Sequence, residues 1–186
     1  MHIAVIARVL GMLLMIFSLT MLSPIIVSSI YEENTSSMFV LAFAITLLVG
    51  LTFWLPTKSH QGELRTRDGF VVTVFFWLVL SGFGSLPLML SEATNLTFID
   101  ALFESVSGLT TTGATVLSGL DDLPKSILYY RQQLQWLGGI GIVVIAVAIL
   151  PMLGIGGMQI YRAETPGPVK DSKLTPRIAE TANVLF

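Results

Sequence analysis

Leu96 to Ser107 (LTFIDALFESVS) runs directly into Gly108 to Thr115 (GLTTTGAT). The first part has the character of a helix, yet it is much too short to cross a hydrocarbon core about 30 Å thick. The second part is a string of small and hydroxylated residues with no periodicity. Long apolar blocks lie on both sides of the pair. Irregular backbone at membrane depth is tolerated only where it is buried in protein or lines water. The stretch is therefore predicted to enter the membrane as a half-helix and to leave on the same side as a loop.

Outward from this loop the chain divides into spans. Ile3 to Ile30 is a first apolar run, with Arg8 near its start and Pro24 near its end. It exceeds the roughly 7–15 residues of a signal-peptide core and lacks a small-residue cleavage site, so a retained helix is the preferred reading. Tyr31 to Ser37 is a polar turn, and Met38 to Leu55 is a second span ending at Trp54 and Pro56. Pro56 to Asp68 is a charged loop. Gly69 to Leu90 is the third span, and Ser126 to Leu153 the fourth, with Gly138, Gly139 and Gly141 early in it. Gly154 to Pro176 is a polar connection, and Ile178 to Phe186 begins another helix.

Composition agrees with lipid as the solvent. Of the 186 residues 53% are hydrophobic and only 12% charged, against about 25% charged in a soluble domain. Cys is absent, which excludes disulfides and thiolate chemistry. Lys and Arg are scattered over loops without a basic stripe, so no nucleic acid is expected as a partner. Neither a Ser/His nor a paired Asp constellation lies in the helices, so no enzyme is expected. His2 and His60 sit in polar ends and read as solvated, and the glycines at 154, 156 and 157 lack the GK[ST] of a phosphate loop.

Charge placement orients the spans. Lys58, Arg65 and Arg67 lie in one loop, and Arg162, Lys170, Lys173 and Arg177 follow the fourth span. The positive-inside rule places both segments, and the N-terminus with Arg8, in the cytoplasm. Four spans satisfy this only if Leu96 to Thr115 enters and leaves on the outer side. Trp136 and Tyr129-Tyr130 read as an outer aromatic belt. Gly138, Gly139 and Gly141 read as sites of close helix packing, with a gating hinge as the alternative.

The loop has the chemistry of a cation path. Closely spaced backbone carbonyls can replace an ion's hydration shell without a fixed charge. Gly113 lacks a Cβ and can turn its peptide into conformations closed to other residues. The hydroxyls of Thr110, Thr111 and Thr112 can add oxygen ligands or brace the loop. The half-helix ends near this string, where its negative dipole end favours a cation. Asp100 and Glu104 lie four apart on one helix face and are weaker candidates for the pore mouth. The plainer reading has Asp100 complementing the helix start and Glu104 pairing with a neighbour or binding the loop backbone. An ionisable group at such depth needs a partner, which the sequence does not name.

The residues Phe103 to Thr115 (FESVSGLTTTGAT) resemble the first pore loop of the Trk/Ktr/HKT potassium transporters. Leu134 to Val144 (LQWLGGIGIVV) is similar to the start of the following helix in the TrkH branch of that superfamily. Gly156 to Pro168 (GGMQIYRAETPGP) is similar to its cytoplasmic connector. The three motifs occur in order, and the resemblance covers the whole chain. It implies an all-α membrane protein, with a leading two-helix hairpin followed by one helix–pore loop–helix repeat of potassium-channel-like architecture. Residues 1–56 would be the leading pair, 57–68 a cytoplasmic loop, 69–157 the pore repeat, and 158–186 the connector with the start of a further helix.

By the same resemblance the transported ion is potassium, and the selectivity filter is drawn from Thr110, Thr111, Thr112 and Gly113. A symporter-type uptake system in a bacterial inner membrane is implied, with the N-terminus cytoplasmic and a cytosolic TrkA-type nucleotide-binding regulator as a docking partner. Such transporters arrange four repeats round one pore, whereas this sequence holds one Thr/Gly string. The remaining repeats, or other copies of the chain, are thus expected as partners. The chain itself is expected to be a fragment or early-terminated product that does not conduct alone. Two alternatives stay open, a one-repeat channel subunit that tetramerises and a non-conducting membrane scaffold. The loop lacks the TVGYG string of tetrameric channels.

Overall fold

The computed structural model describes residues 3–58 and 66–149, and all regular structure among them is helical. The 158–186 connector, the end of the fourth span and most of the charged loop lie outside the described residues. The chain forms two units, Met1–Ile140 and Gly141–Phe186. In the second, Gly141 to Ile149 continue as helix. The packing below belongs to the first.

The first span is two helices, α1 (Ile3–Thr20) and α2 (Ser23–Ile30). Pro24 causes the break, because it has no amide to donate to the Thr20 carbonyl four residues back. The Ser23 hydroxyl donates to that carbonyl instead, at 2.9 Å. The next helix, α3 (Ser36–Trp54), returns beside α1. The two meet closely where both lack a side chain: a Cβ on Gly11 would stand 2.8 Å from the Gly50 carbonyl oxygen. Small residues permit such approach between membrane helices.

The third span is likewise two pieces, α4 (Thr66–Gly84) and α5 (Leu86–Leu90), broken ahead of Pro87. The helix begins at Thr66, so Thr66 to Asp68 belong to it rather than to the charged loop. Three stretches among the described residues, Ile3–Ile30, Ser36–Thr57 and Val71–Leu90, are long and apolar enough to cross a membrane.

The half-helix, α6, spans Phe98–Leu109, two residues beyond the predicted Ser107. Thr97 starts it. Its hydroxyl accepts from the Asp100 amide at 3.3 Å and donates to the Asp100 carboxylate at 2.7 Å, which satisfies one of the orphan donors of a helix start. Ala101, Glu104, Ser105 and Gly108 are buried on one face, whereas Ile99, Phe103 and Val106 are exposed on the other. The last helix, α7, spans Lys125–Ile149.

The core gathers Leu14, Phe17 and Met21 of α1 and its end, Phe39 and Ala42 of α3, and Ile127, Tyr130 and Leu134 of α7. Tyr130 departs from the predicted aromatic belt. Tyr129 and Trp136 are exposed, but Tyr130 is fully buried, its ring edge-on to Phe39 at 5.5 Å. Its hydroxyl donates to the Gly84 carbonyl at 2.9 Å. A buried phenol finds an acceptor, and the break after Gly84 provides one.

Candidate functional site

The end of α6 sets the loop. Thr110 has a φ of -82°, Thr111 one of +58° and Gly113 one of +74°. The Thr111 amide donates to the Gly108 carbonyl at 2.9 Å and the Thr112 amide to that of Ser107 at 2.9 Å. This pair of bonds across a left-handed residue is a Schellman closure. That position favours glycine, whereas a β-branched residue there is an outlier. Thr111 is thus held against its preference, and the two flanking amide bonds hold it.

The Thr110 amide also points back, to Val106 at 2.8 Å, and the Gly113 amide to Ser107 at 3.4 Å. Four successive amides grip the carbonyls of the last helical turn, much as an amide nest grips an anion. A trans peptide sets each carbonyl opposite the next residue's N–H. The carbonyls of Thr110, Thr111 and Thr112 therefore face away from α6. Among the described residues these three and the Gly113 carbonyl accept no hydrogen bond. The set ends sharply at Ala114, whose carbonyl accepts from the Ser107 hydroxyl at 2.6 Å. The Thr110 and Thr112 hydroxyls bond one another at 2.8 Å, and that of Thr110 donates to Val106 at 2.7 Å.

Glu104 is buried, with its carboxylate turned into protein. Oε1 accepts from the Thr115 hydroxyl at 2.5 Å and the Val116 amide at 2.7 Å, and Oε2 accepts from Arg131 Nε at 3.0 Å. It therefore pairs with a neighbour and binds the loop backbone as well. Asp100 sits at the opposite end of α6 and answers the Thr97 hydroxyl.

Sequence reading missed the contribution of α7. Arg131, Leu134, Gln135 and Gly138 form an i, i+3, i+4, i+7 stripe that underlies the loop. A Cβ on Gly138 would meet the Leu109 carbonyl oxygen at 1.9 Å, one on Gly108 the Leu134 Cβ at 2.9 Å, and one on Gly113 the Gln135 Nε2 at 3.3 Å. Close packing is thus what Gly138 provides. Arg131 was a usable signal, since a cation within a membrane helix calls for a partner such as a buried carboxylate.

A hairpin, a helix, a half-helix with its carbonyl-bearing loop and a second long helix together define a membrane protein built on a pore-loop repeat. The profile of the TrkH family, described as a cation transport protein, matches residues 35–186. The chain belongs to this family. The Trk system potassium uptake protein TrkH of Halomonas elongata is 60% identical over 186 residues, covering 100% of this chain and 39% of its own. The protein of the same name from Escherichia coli K12 is 55% identical, covering 100% of this chain and 38% of its own. The crystal structure of the potassium transporter TrkH from Vibrio parahaemolyticus superposes with a TM-score of 0.82 at 49% identity, over 100% of this chain and 36% of that one. The chain thus spans less than two-fifths of the length of these relatives, and it is an all-α membrane protein like them.

Proposed function

We propose that the chain forms part of the pore of a Trk-type potassium uptake system. In this reading Thr110, Thr111, Thr112 and Gly113 line one side of a selectivity filter. The observation that carries it is the row of carbonyls turned away from α6 at the negative end of the helix dipole, ending where Ser107 holds Ala114. Carbonyls so held replace hydration water without a fixed charge in the path. Glu104, neutralised by Arg131, braces the loop rather than facing the ion.

One chain lines only one side of an ion, so the rest of the filter comes from further repeats or other copies. The exposed face of α6, with Ile99, Phe103 and Val106, is where they would pack. The chain reconstituted alone does not transport. The membrane is a bacterial inner membrane, with the N-terminus cytoplasmic, and a TrkA-type nucleotide-binding regulator docks on the cytoplasmic side.

The test is a chimera in which residues 1–186 replace the matching segment of the Vibrio parahaemolyticus transporter. Rubidium uptake into cells lacking potassium uptake is expected from the chimera, and its loss from the Gly113→Val form at equal membrane amount. Uptake that survives Gly113→Val overturns the filter assignment and favours a non-conducting scaffold role.

A further inference from the structure

The leading hairpin has a job in this fold that the pore loop does not explain, and α7 carries its imprint at two points. The first is the start of α7. Helix N-termini present unsatisfied amides that are usually met by a local Ser, Thr or Asp. Here the carboxylate comes from Glu33, in the turn of the leading hairpin. It accepts from the Lys125 amide at 2.5 Å, the Ser126 amide at 3.1 Å and the Ser126 hydroxyl at 2.6 Å. Thr35 bonds the same Ser126 hydroxyl at 2.7 Å and reaches Ser28 at 2.9 Å.

The second point lies eight residues on, about 12 Å along the axis. Gln133 Nε2 donates to the Thr20 carbonyl at 2.9 Å and to the Ser23 hydroxyl at 2.8 Å. Thr20 is the carbonyl that Pro24 leaves without a helical donor. The break in the first span thus presents an acceptor to which α7 is fitted.

Ser126, Tyr130 and Gln133 form one stripe of α7, while Arg131, Gln135 and Gly138 form another about 140° round the helix. The first faces the hairpin, and the second holds the loop. Anchors at two heights fix both the rotation and the axial register of α7. A slip of either would carry Arg131 away from Glu104 and drive Gly138 against Leu109. Apolar packing alone would hold the hairpin to the repeat but would leave such slips open, since apolar contacts lack direction.

We infer that the leading hairpin sets the filter loop through α7, and that Glu33 and Gln133 are positioning residues for ion selection. This rests on the filter reading above. It is tested first without transport, by amide exchange in the full chain in lipid nanodiscs. Glu33→Gln and, separately, Gln133→Leu are expected to raise exchange of the 110–116 amides, by about tenfold for Glu33, whose hydrogen bonds involve a charged group, and by about fivefold for Gln133, whose partners are neutral. Amides of α1 and α3 around Gly11 and Gly50 serve as the internal reference and stay unchanged. Glu33→Asp restores part of the protection.

In the chimera the same variants are expected to raise the KM for rubidium and to weaken discrimination against sodium, with maximal uptake per inserted molecule retained. Unchanged exchange at 110–116, or opening confined to 125–130, overturns the inference. So does uptake that falls only in proportion to protein amount. An unmutated chimera that takes up no rubidium counts against the proposed function alone, and the exchange result still decides the role of the anchors.

Discussion

Arg131 donates from Nε to Oε2 of Glu104 at 3.0 Å, joining α7 to the middle of the half-helix. The other carboxylate oxygen holds Thr115 and Val116, immediately past the four open carbonyls. The pair is therefore the second of two clamps on the loop, the first being the four amides on the last turn of α6. Its burial makes the ion pair sensitive to the loss of one partner, because the other is left as an uncompensated charge.

Arg131→Met is predicted to destabilise the chain by about 3 kcal/mol. Glu104→Gln keeps the shape and two acceptor positions on one oxygen, so it is predicted to cost less. The check is thermal unfolding of both variants in detergent. A double variant, Glu104→Gln with Arg131→Met, removes both charges and is predicted to be more stable than Arg131→Met alone.

Thr111 carries the opposite prediction. Its left-handed conformation costs about 1–2 kcal/mol for a residue with a Cβ, and its hydroxyl joins no hydrogen bond among the described residues. Thr111→Gly is predicted to leave thermal stability equal or raised by up to about 1 kcal/mol. In the chimera it is predicted to weaken discrimination between rubidium and sodium, because the loop gains conformations that Thr111 excludes. Higher stability together with unchanged discrimination would show that the outlier has no part in selection.

Gly138 and Gly139 are neighbours with contrasting demands. A Cβ at 138 meets backbone, which no side-chain rotation can relieve, whereas a Cβ at 139 meets nothing within 4 Å. Gly138→Ala is predicted to cost about 3 kcal/mol or more and to shift the loop. Gly139→Ala is predicted to be neutral or to stabilise by about 0.5–1 kcal/mol, as expected for helical Gly to Ala. Unfolding midpoints of the two variants measure the contrast.

Acid should loosen the start of α7. Burial pushes the Glu33 carboxyl up, but the Ser126 hydroxyl, the Ser126 and Lys125 amides and the Lys125 charge together hold it below its ordinary 4.5. A carboxyl lowered in the folded state contributes stability above its unfolded value and loses it as pH falls through the folded one. The unfolding midpoint is therefore predicted to fall more steeply below about pH 4.5 in the parent than in Glu33→Gln. The difference between the two curves isolates Glu33 from the other carboxylates.

Much of this was legible in the sequence because the bilayer enforces it. Apolar block lengths marked Leu96–Ser107 as a helix too short to span, and the Thr/Gly string marked where the backbone is irregular. Other features were illegible because they depend on contacts between distant residues. Nothing local to Ser126 announces that its cap is Glu33, and nothing near Thr20 points to Gln133. Tyr130 looked like its exposed neighbour Tyr129 because adjacent helical residues share composition but not facing. The prolines were visible, yet their consequence was underestimated: Pro24 and Pro87 each divide a span, and each break leaves a polar group that α7 occupies.

In the proposed filter an ion sits against the carbonyls of Thr110 to Gly113. The most direct measurement is anomalous scattering from crystals of the chimera grown in rubidium. A rubidium peak is expected facing these four carbonyls and none beside Glu104, which Arg131 already neutralises. A transport-competent chimera whose rubidium lies away from the loop, with the four carbonyls hydrated instead, would contradict it.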